Sequence, residues 1–200
     1  GNTQAKAFYA IGSITTSGFA STTADASVFP YHIVATGDSG PAYLGHVFTN
    51  VCTVLMLIGG GVGSTGGGIK QFRMVIILKS FYYSIRYRFA SIHTHYPKVV
   101  YRYGQVKDLD DDTVHEAYHY AFLFLGLFVT IVFITLLAGH EYYDVETAMF
   151  DVSSAISNTG LSMVVGADFA ASAGAGGFAV LWAMSLGMFL GRLEILPAAY

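Results

Sequence analysis

Nineteen consecutive residues, Tyr120 to Ala138 (YAFLFLGLFVTIVFITLLA), carry no charged side chain. A helix of about 20 apolar residues is what a bilayer requires. Two further apolar stretches accompany this one. Tyr43 to Ile58 (YLGHVFTNVCTVLMLI) runs straight into glycines, and Gly177 to Ala198 contains both Arg192 and Glu194. Charged residues make up 12% of the chain, against roughly 25% in soluble domains. The charges are missing from long stretches instead of being interspersed, so the chain reads as an integral membrane protein. Strand alternation of the kind that builds a membrane barrel is absent, and the expected class is all-α.

Charge placement orients it. Eight of the ten Lys and Arg residues lie between Lys70 and Lys107, and no Asp or Glu occurs between Asp38 and Asp108. Lys and Arg clustered beside spanning segments mark the cytoplasmic side, so the segment 70–107 is expected inside the cell. The stretches 20–41 and 140–176 then face outward. Spans on both sides of the basic, Tyr-rich segment FYYSIRYRF argue against nucleic acid as its partner and leave anionic lipid as the surface it suits. Cys52 is the single cysteine and sits in an apolar run, so there is no disulfide framework. No secretory signal is visible, and a chain that opens mid-pattern without Met is expected to be part of something longer.

The outward-facing stretches repeat each other. FYAIGSITTSGFA and FDVSSAISNTGLS align on Gly18 and Gly160. Phe8 then matches Phe150, Ile14 matches Ile156, Thr15-Thr16-Ser17 match Ser157-Asn158-Thr159, and Phe19 matches Leu161. Each segment is too short to span and fits a re-entrant helix that breaks at small polar residues and a glycine. Longer apolar helices follow, and they align too: MLIGGGVG at Met56–Gly63 against MSLGMFLG at Met184–Gly191. A Ser/Thr turn ending in glycine can aim backbone carbonyls inward, and rings of carbonyls replace the water around an alkali cation. Irregular backbone at membrane depth needs protein or a wet cavity around it. Ion conduction or ion-coupled transport is the function this unit suggests.

Seven glycines occupy the ten positions from Gly59 to Gly68, at roughly 1 kcal/mol each against helix. The membrane helix is therefore expected to break there. Gly61 to Gly66 satisfies G-x-G-x-x-G, but the nucleotide fingerprint needs a preceding strand and a later acid. Here an apolar helix precedes, and Arg86 and Arg88 stand where the acid belongs. On the preceding helix His46, Asn50 and Thr53 share one face, expected to look into the bundle. Arg192 is a charge inside an apolar helix, which is costly unless it meets a cavity or a partner. Glu141, Asp144, Glu146 and Asp151 are candidates for an acidic outer mouth.

A rival motif is His115-Glu116-Ala117-Tyr118-His119, the H-E-x-x-H of zinc proteases. An intramembrane metalloprotease is the alternative function it raises. A catalytic zinc needs a third protein ligand. His140, Glu141 and Asp144 lie across a helix roughly 30 Å long, and His93 and His95 stand upstream. A capping box, with Thr113 as N-cap and Glu116 reaching back, explains the same residues without metal.

ITTSGF at 14–19, GSTGGGIK at 63–70, SNTGLS at 157–162 and LGRLEIL at 190–196 resemble the last two repeats of the Trk/Ktr/HKT potassium-transporter superfamily. The resemblance implies an all-α membrane protein of M1–pore helix–M2 repeats, with re-entrant pore helices and a glycine-broken membrane helix. Residues 1–90 would be a third repeat lacking its first span, 91–112 a cytoplasmic linker, and 113–200 the fourth repeat. It implies a filter at Thr15, Thr16, Ser17, Gly18, Ser157, Asn158, Thr159 and Gly160, with K⁺ held at Thr16, Gly18, Asn158 and Gly160. It implies a gate at Gly63, Ser64, Thr65, Gly66, Gly67 and Gly68 with Arg192 projecting into the pore. Potassium ion is the expected cargo, with no organic cofactor and no enzymatic activity. The implied setting is the cell membrane, with lipid, the remaining repeats, a second copy and a cytoplasmic nucleotide-binding regulatory subunit as partners.

Overall fold

A computed structural model describes residues 3–18, 42–61, 63–64, 66–89, 99–102, 105–108, 111–139, 143–163 and 174–192. Its elements in chain order are α1 (Thr3–Thr15), α2 (Ala42–Ile58), α3 (Gln71–Phe89), β1 (Val99–Arg102), β2 (Gln105–Asp108), α4 (Asp111–Ala138), α5 (Val145–Ile156) and α6 (Gly174–Arg192). Among them α4 is the helix long and apolar enough to cross a membrane alone. Its 28 residues reach about 42 Å at 1.5 Å per residue.

One stripe of α4 is buried: Val114, Ala117, Tyr120, Phe124, Phe128, Ile131 and Thr135, at spacings of three or four. Its opposite face is just as apolar but bare, with Phe122 78% and Leu137 64% exposed. α6 likewise exposes Phe178, Trp182, Leu186 and Phe189. Water tolerates no such continuous apolar surface, whereas lipid tails do. The core joins Phe124, Phe128 and Ile131 of α4 to Val152 and Ile156 of α5 and Ala183 of α6. The short helix α5 is thus held by α2, α4 and α6. α1 packs on α2.

Between α3 and α4 the fold departs from the all-α expectation, because β1 and β2 pair antiparallel with Val99 opposite Asp108 and Arg102 opposite Gln105. Val99, Val100 and Tyr101 are residue types that favour extended backbone. The helix expected to be capped by Thr113 begins earlier, at Asp111. Asp111 and Asp112 sit in its first turn, where the helix dipole favours acids. Thr113 therefore lies inside the helix and not at its cap.

Candidate ion pathway

Both short helices end in the same way. After α1 the Thr16 N–H donates to the Ser13 carbonyl (3.3 Å) and the Ser17 N–H to the Gly12 carbonyl (3.1 Å). After α5 the Asn158 N–H donates to Ala155 (3.0 Å) and the Thr159 N–H to Ser154 (2.9 Å). Each is a Schellman motif, in which a left-handed residue reverses the chain and ties up the last helix carbonyls. Thr16 (φ 52°) and Asn158 (φ 57°) are those left-handed residues, and Gly18 (φ 67°) and Gly160 (φ 85°) repeat the conformation two residues on. A hydroxyl pair braces each turn: Thr15 Oγ1 to Ser17 Oγ at 3.2 Å, and Ser157 Oγ with Thr159 Oγ1 at 2.7 Å.

The turns meet. A Cβ at Gly18 would collide with the carbonyl oxygen of Thr159, so the backbones touch where only glycine fits. Two helix C-termini, each carrying a partial negative charge, therefore converge on one spot. The turn after α5 rests on α6: Asn158 Nδ2 donates to the Met188 carbonyl at 3.4 Å, and Gly191 lies flat against the Ile156 carbonyl.

The glycine-rich segment interrupts the helix as expected, and its ends close on themselves. Where α2 stops, the carbonyls of Leu57, Ile58 and Gly60 accept N–H groups from Ile69 (3.0 Å), Lys70 (2.8 Å) and Gln71 (3.2 Å) at the start of α3. Backbone groups orphaned by the break are thus satisfied, which apolar surroundings demand. At the neck Gly59 and Gly68 touch backbone to backbone with no room for side chains. Tyr120 on α4 donates to the Gly68 carbonyl at 3.4 Å, and the Arg73 guanidinium lies 4.1 Å over the same ring.

The excursion between these ends points at the turns. Gly67 N–H donates to the Ser157 carbonyl at 2.8 Å, and Gly66 abuts the Thr16 hydroxyl. Ser64 lies beside Gly60, Gly63 is exposed, and Thr65 falls outside the described residues. Arg192 ends α6 one residue beyond Gly191, and it is exposed. Its neighbour Glu194 lies outside the described residues.

Other candidates scatter. The buried residues of α2 are Thr49, Cys52, Thr53 and Met56, whereas Asn50 and His46 are exposed. A helix face is set by what it packs against, and α2 turns the Thr49–Met56 side inward. His46 instead pairs through Nδ1 with Glu146 Oε2 in the first turn of α5. His115 and His119 are exposed on α4 with rings 6.5 Å apart. No group of three His, Cys, Asp or Glu side chains is placed to hold a metal among the described residues. His93, His95, His140 and Glu141 fall outside them.

Asp151 is the residue that sequence reasoning misplaced. Grouped with the acids of an outer mouth, it is instead 3% exposed inside α5. Its Oδ1 accepts the Met163 N–H at 2.7 Å, and its Oδ2 accepts the Ser162 hydroxyl at 2.8 Å and the Tyr143 hydroxyl at 3.5 Å. Burial, and then the Asp151 charge, push the Tyr143 phenol above its ordinary range, so it stays a donor. An acid flanked by Phe150 and Val152 in a short apolar helix was the signal for it.

Residues 44–200 match the family model described as TrkH, cation transport protein. The chain belongs to the TrkH family. It is 36% identical over 148 residues to an uncharacterized cation transporter of Methanocaldococcus jannaschii, covering 72% of this chain and 27% of that protein. It is 32% identical over 144 residues to the potassium uptake protein TrkG of Escherichia coli, covering 70% and 26%. Against the potassium uptake protein TrkI of Halomonas elongata it is 31% identical over 149 residues, covering 71% and 27%. Its fold matches the crystal structure of the potassium transporter TrkH from Vibrio parahaemolyticus with a TM-score of 0.57 at 16% identity, covering 96% of this chain and 49% of that one. The chain thus spans about a quarter of the length of the curated relatives it matches. TrkH-family membership makes it part of a multi-pass membrane protein and sets aside the metalloprotease reading, because the family consists of transporters and not enzymes.

Proposed function

We propose that this TrkH-family chain supplies the third and fourth quarters of a cation pathway, most suited to K⁺, across the cell membrane. The observation that carries the proposal is the meeting of two equivalent turns at the C-terminal ends of α1 and α5. Helix C-termini aimed at one point favour a cation there, and left-handed residues at alternate positions expose carbonyls of the turn that the helices no longer use. Thr16, Ser17 and Gly18 with Asn158, Thr159 and Gly160 would replace the water around K⁺. Thr15 and Ser157 take the cap positions, and the Ser157 carbonyl is engaged by Gly67.

That engagement supports a gating role for Gly63 to Gly68. A glycine-rich excursion that touches the filter turns and closes its own neck can move without unfolding α2 or α3. Arg192 adds a positive charge at the base of α6 that would oppose cations until displaced. On this reading the first 90 residues are the third repeat and residues from 113 on the fourth, joined by a cytoplasmic linker over 91–112. The exposed faces of α1, α4 and α6 suit the other repeats, lipid or a second copy. A nucleotide-binding regulatory subunit would meet the cytoplasmic side.

Rb⁺ and Na⁺ uptake into proteoliposomes carrying the full-length parent protein tests this. The parent is expected to take up Rb⁺ in preference to Na⁺, and Gly160→Asp is expected to abolish uptake. A parent that moves neither ion with its gate open would refute the reading.

A further inference from the structure

We propose that Asp151 is a positioning residue for cation selection, holding the exit of the fourth-repeat turn from behind. The inference rests on the transport reading above. Besides its contacts with α6, Gly18 and Gly67, the turn from Asn158 to Gly160 is held by its own chain on both sides. On its entry side stand the Schellman hydrogen bonds to Ser154 and Ala155. On its exit side the chain passes Leu161 and is caught at once, because Ser162 and Met163 both donate to the Asp151 carboxylate, at 2.8 Å and 2.7 Å. Nothing stands within 4 Å of where a Cβ on Gly160 would lie. Side-chain packing on that glycine therefore does not hold the exit of the turn, whereas the Asp151 hydrogen bonds just beyond it do.

A carboxylate suits the task. Its two oxygens accept from a backbone N–H and a hydroxyl together, and charge-assisted bonds are shorter and stiffer than neutral ones. Its distance from the turn along the helix keeps it out of the ion's coordination shell. The position is specific to one repeat. Aligned on the Schellman residues, Asp151 corresponds to Tyr9, which is equally buried but carries no carboxylate. The two turns therefore share a backbone conformation, and a buried carboxylate stands behind the second. A turn released at its exit would let carbonyls follow a smaller ion inward, and discrimination between K⁺ and Na⁺ would fall before conduction does.

The test uses the full-length parent in proteoliposomes and reads the ratio of Rb⁺ to Na⁺ uptake per correctly assembled protein. Asp151→Ala is expected to lower that ratio about tenfold, since a difference of 1.4 kcal/mol is a factor of ten. Asp151→Asn keeps an acceptor for Met163 and is expected to restore most of it. Ser162→Ala removes one donor at the partly buried loop and should lower the ratio in the same direction, which covers the case of an Asp151→Ala protein that does not assemble. A purely structural role would reduce the amount of protein and leave the ratio alone. An unchanged ratio in assembled Asp151→Ala, or in Ser162→Ala where the former does not assemble, overturns the positioning role while the parent's own selective uptake leaves the transport reading standing. A parent that takes up neither ion overturns both.

Discussion

The turn after α1 and the turn after α5 have the same backbone and different surroundings. Phe8 and Ile11 on α1 are 43% and 62% exposed, whereas Phe150 and Ser153, their counterparts on α5, are 1% and 0% exposed. Thr15 and Ser17 brace an exposed turn, and Ser157 and Thr159 make the same pair in a buried one. Left-handed residues and hydroxyl spacing are local properties, so they produce the conformation twice. How firmly each turn is held depends on neighbours: among the described elements α5 packs on α2, α4 and α6 and carries the Asp151 clamp, and α1 packs on α2. The transport reading assigns the bare face of α1 to parts of the protein beyond these 200 residues.

Substitutions at the paired glycines should expose this asymmetry most strongly. Gly18→Ala places a Cβ against the Thr159 carbonyl at a left-handed residue, and should cost about 3 kcal/mol from overpacking and backbone strain together. Thermal melting of the full-length protein and loss of Rb⁺ uptake would register it. Gly67→Ala comes next. Its Cβ would stand 2.8 Å from the Ile156 carbonyl, pushing the loop off the turn and breaking the bond to Ser157. Basal uptake should rise about tenfold, the worth of one hydrogen bond at the upper end of its range. A fall in uptake would instead make the loop part of the conducting wall.

Gly160→Ala has open space around it and pays only for its positive φ, about 1–2 kcal/mol. It should assemble normally, and melting temperatures depressed equally by Gly18→Ala and Gly160→Ala would remove the asymmetry. The smallest effect is expected far from the contact between the turns. Thr147→Val loses the acceptor for the Asp144 N–H (2.9 Å) at the start of α5, which should cost about 0.5–1 kcal/mol. The ratio of Rb⁺ to Na⁺ uptake should not move.

Much of this was legible in the residues because it is local. Glycine density announces a helix break, and the order of short segment, Ser/Thr-Gly turn and long helix recurs with matching residues. What was not legible depends on chain segments meeting in space. The neck closure joins Leu57 to Ile69, the Gly67 N–H finds Ser157 across the bundle, and Asp151 reaches eleven and twelve residues ahead to Ser162 and Met163. No periodicity encodes such contacts. The strand pair β1–β2 is the opposite case: Val99-Val100-Tyr101-Arg102 is a run of β-favouring residues, a signal that is local and visible in the sequence.

The central claim is that both turns line one ion path. Crystals of the full-length protein soaked in Rb⁺ test it most directly, through the anomalous signal of the ion. The account predicts a peak in direct coordination by carbonyls of both Thr16–Gly18 and Asn158–Gly160. Rb⁺ found only at outer acids such as Asp144 or Glu146, with the space between the turns empty, would contradict it.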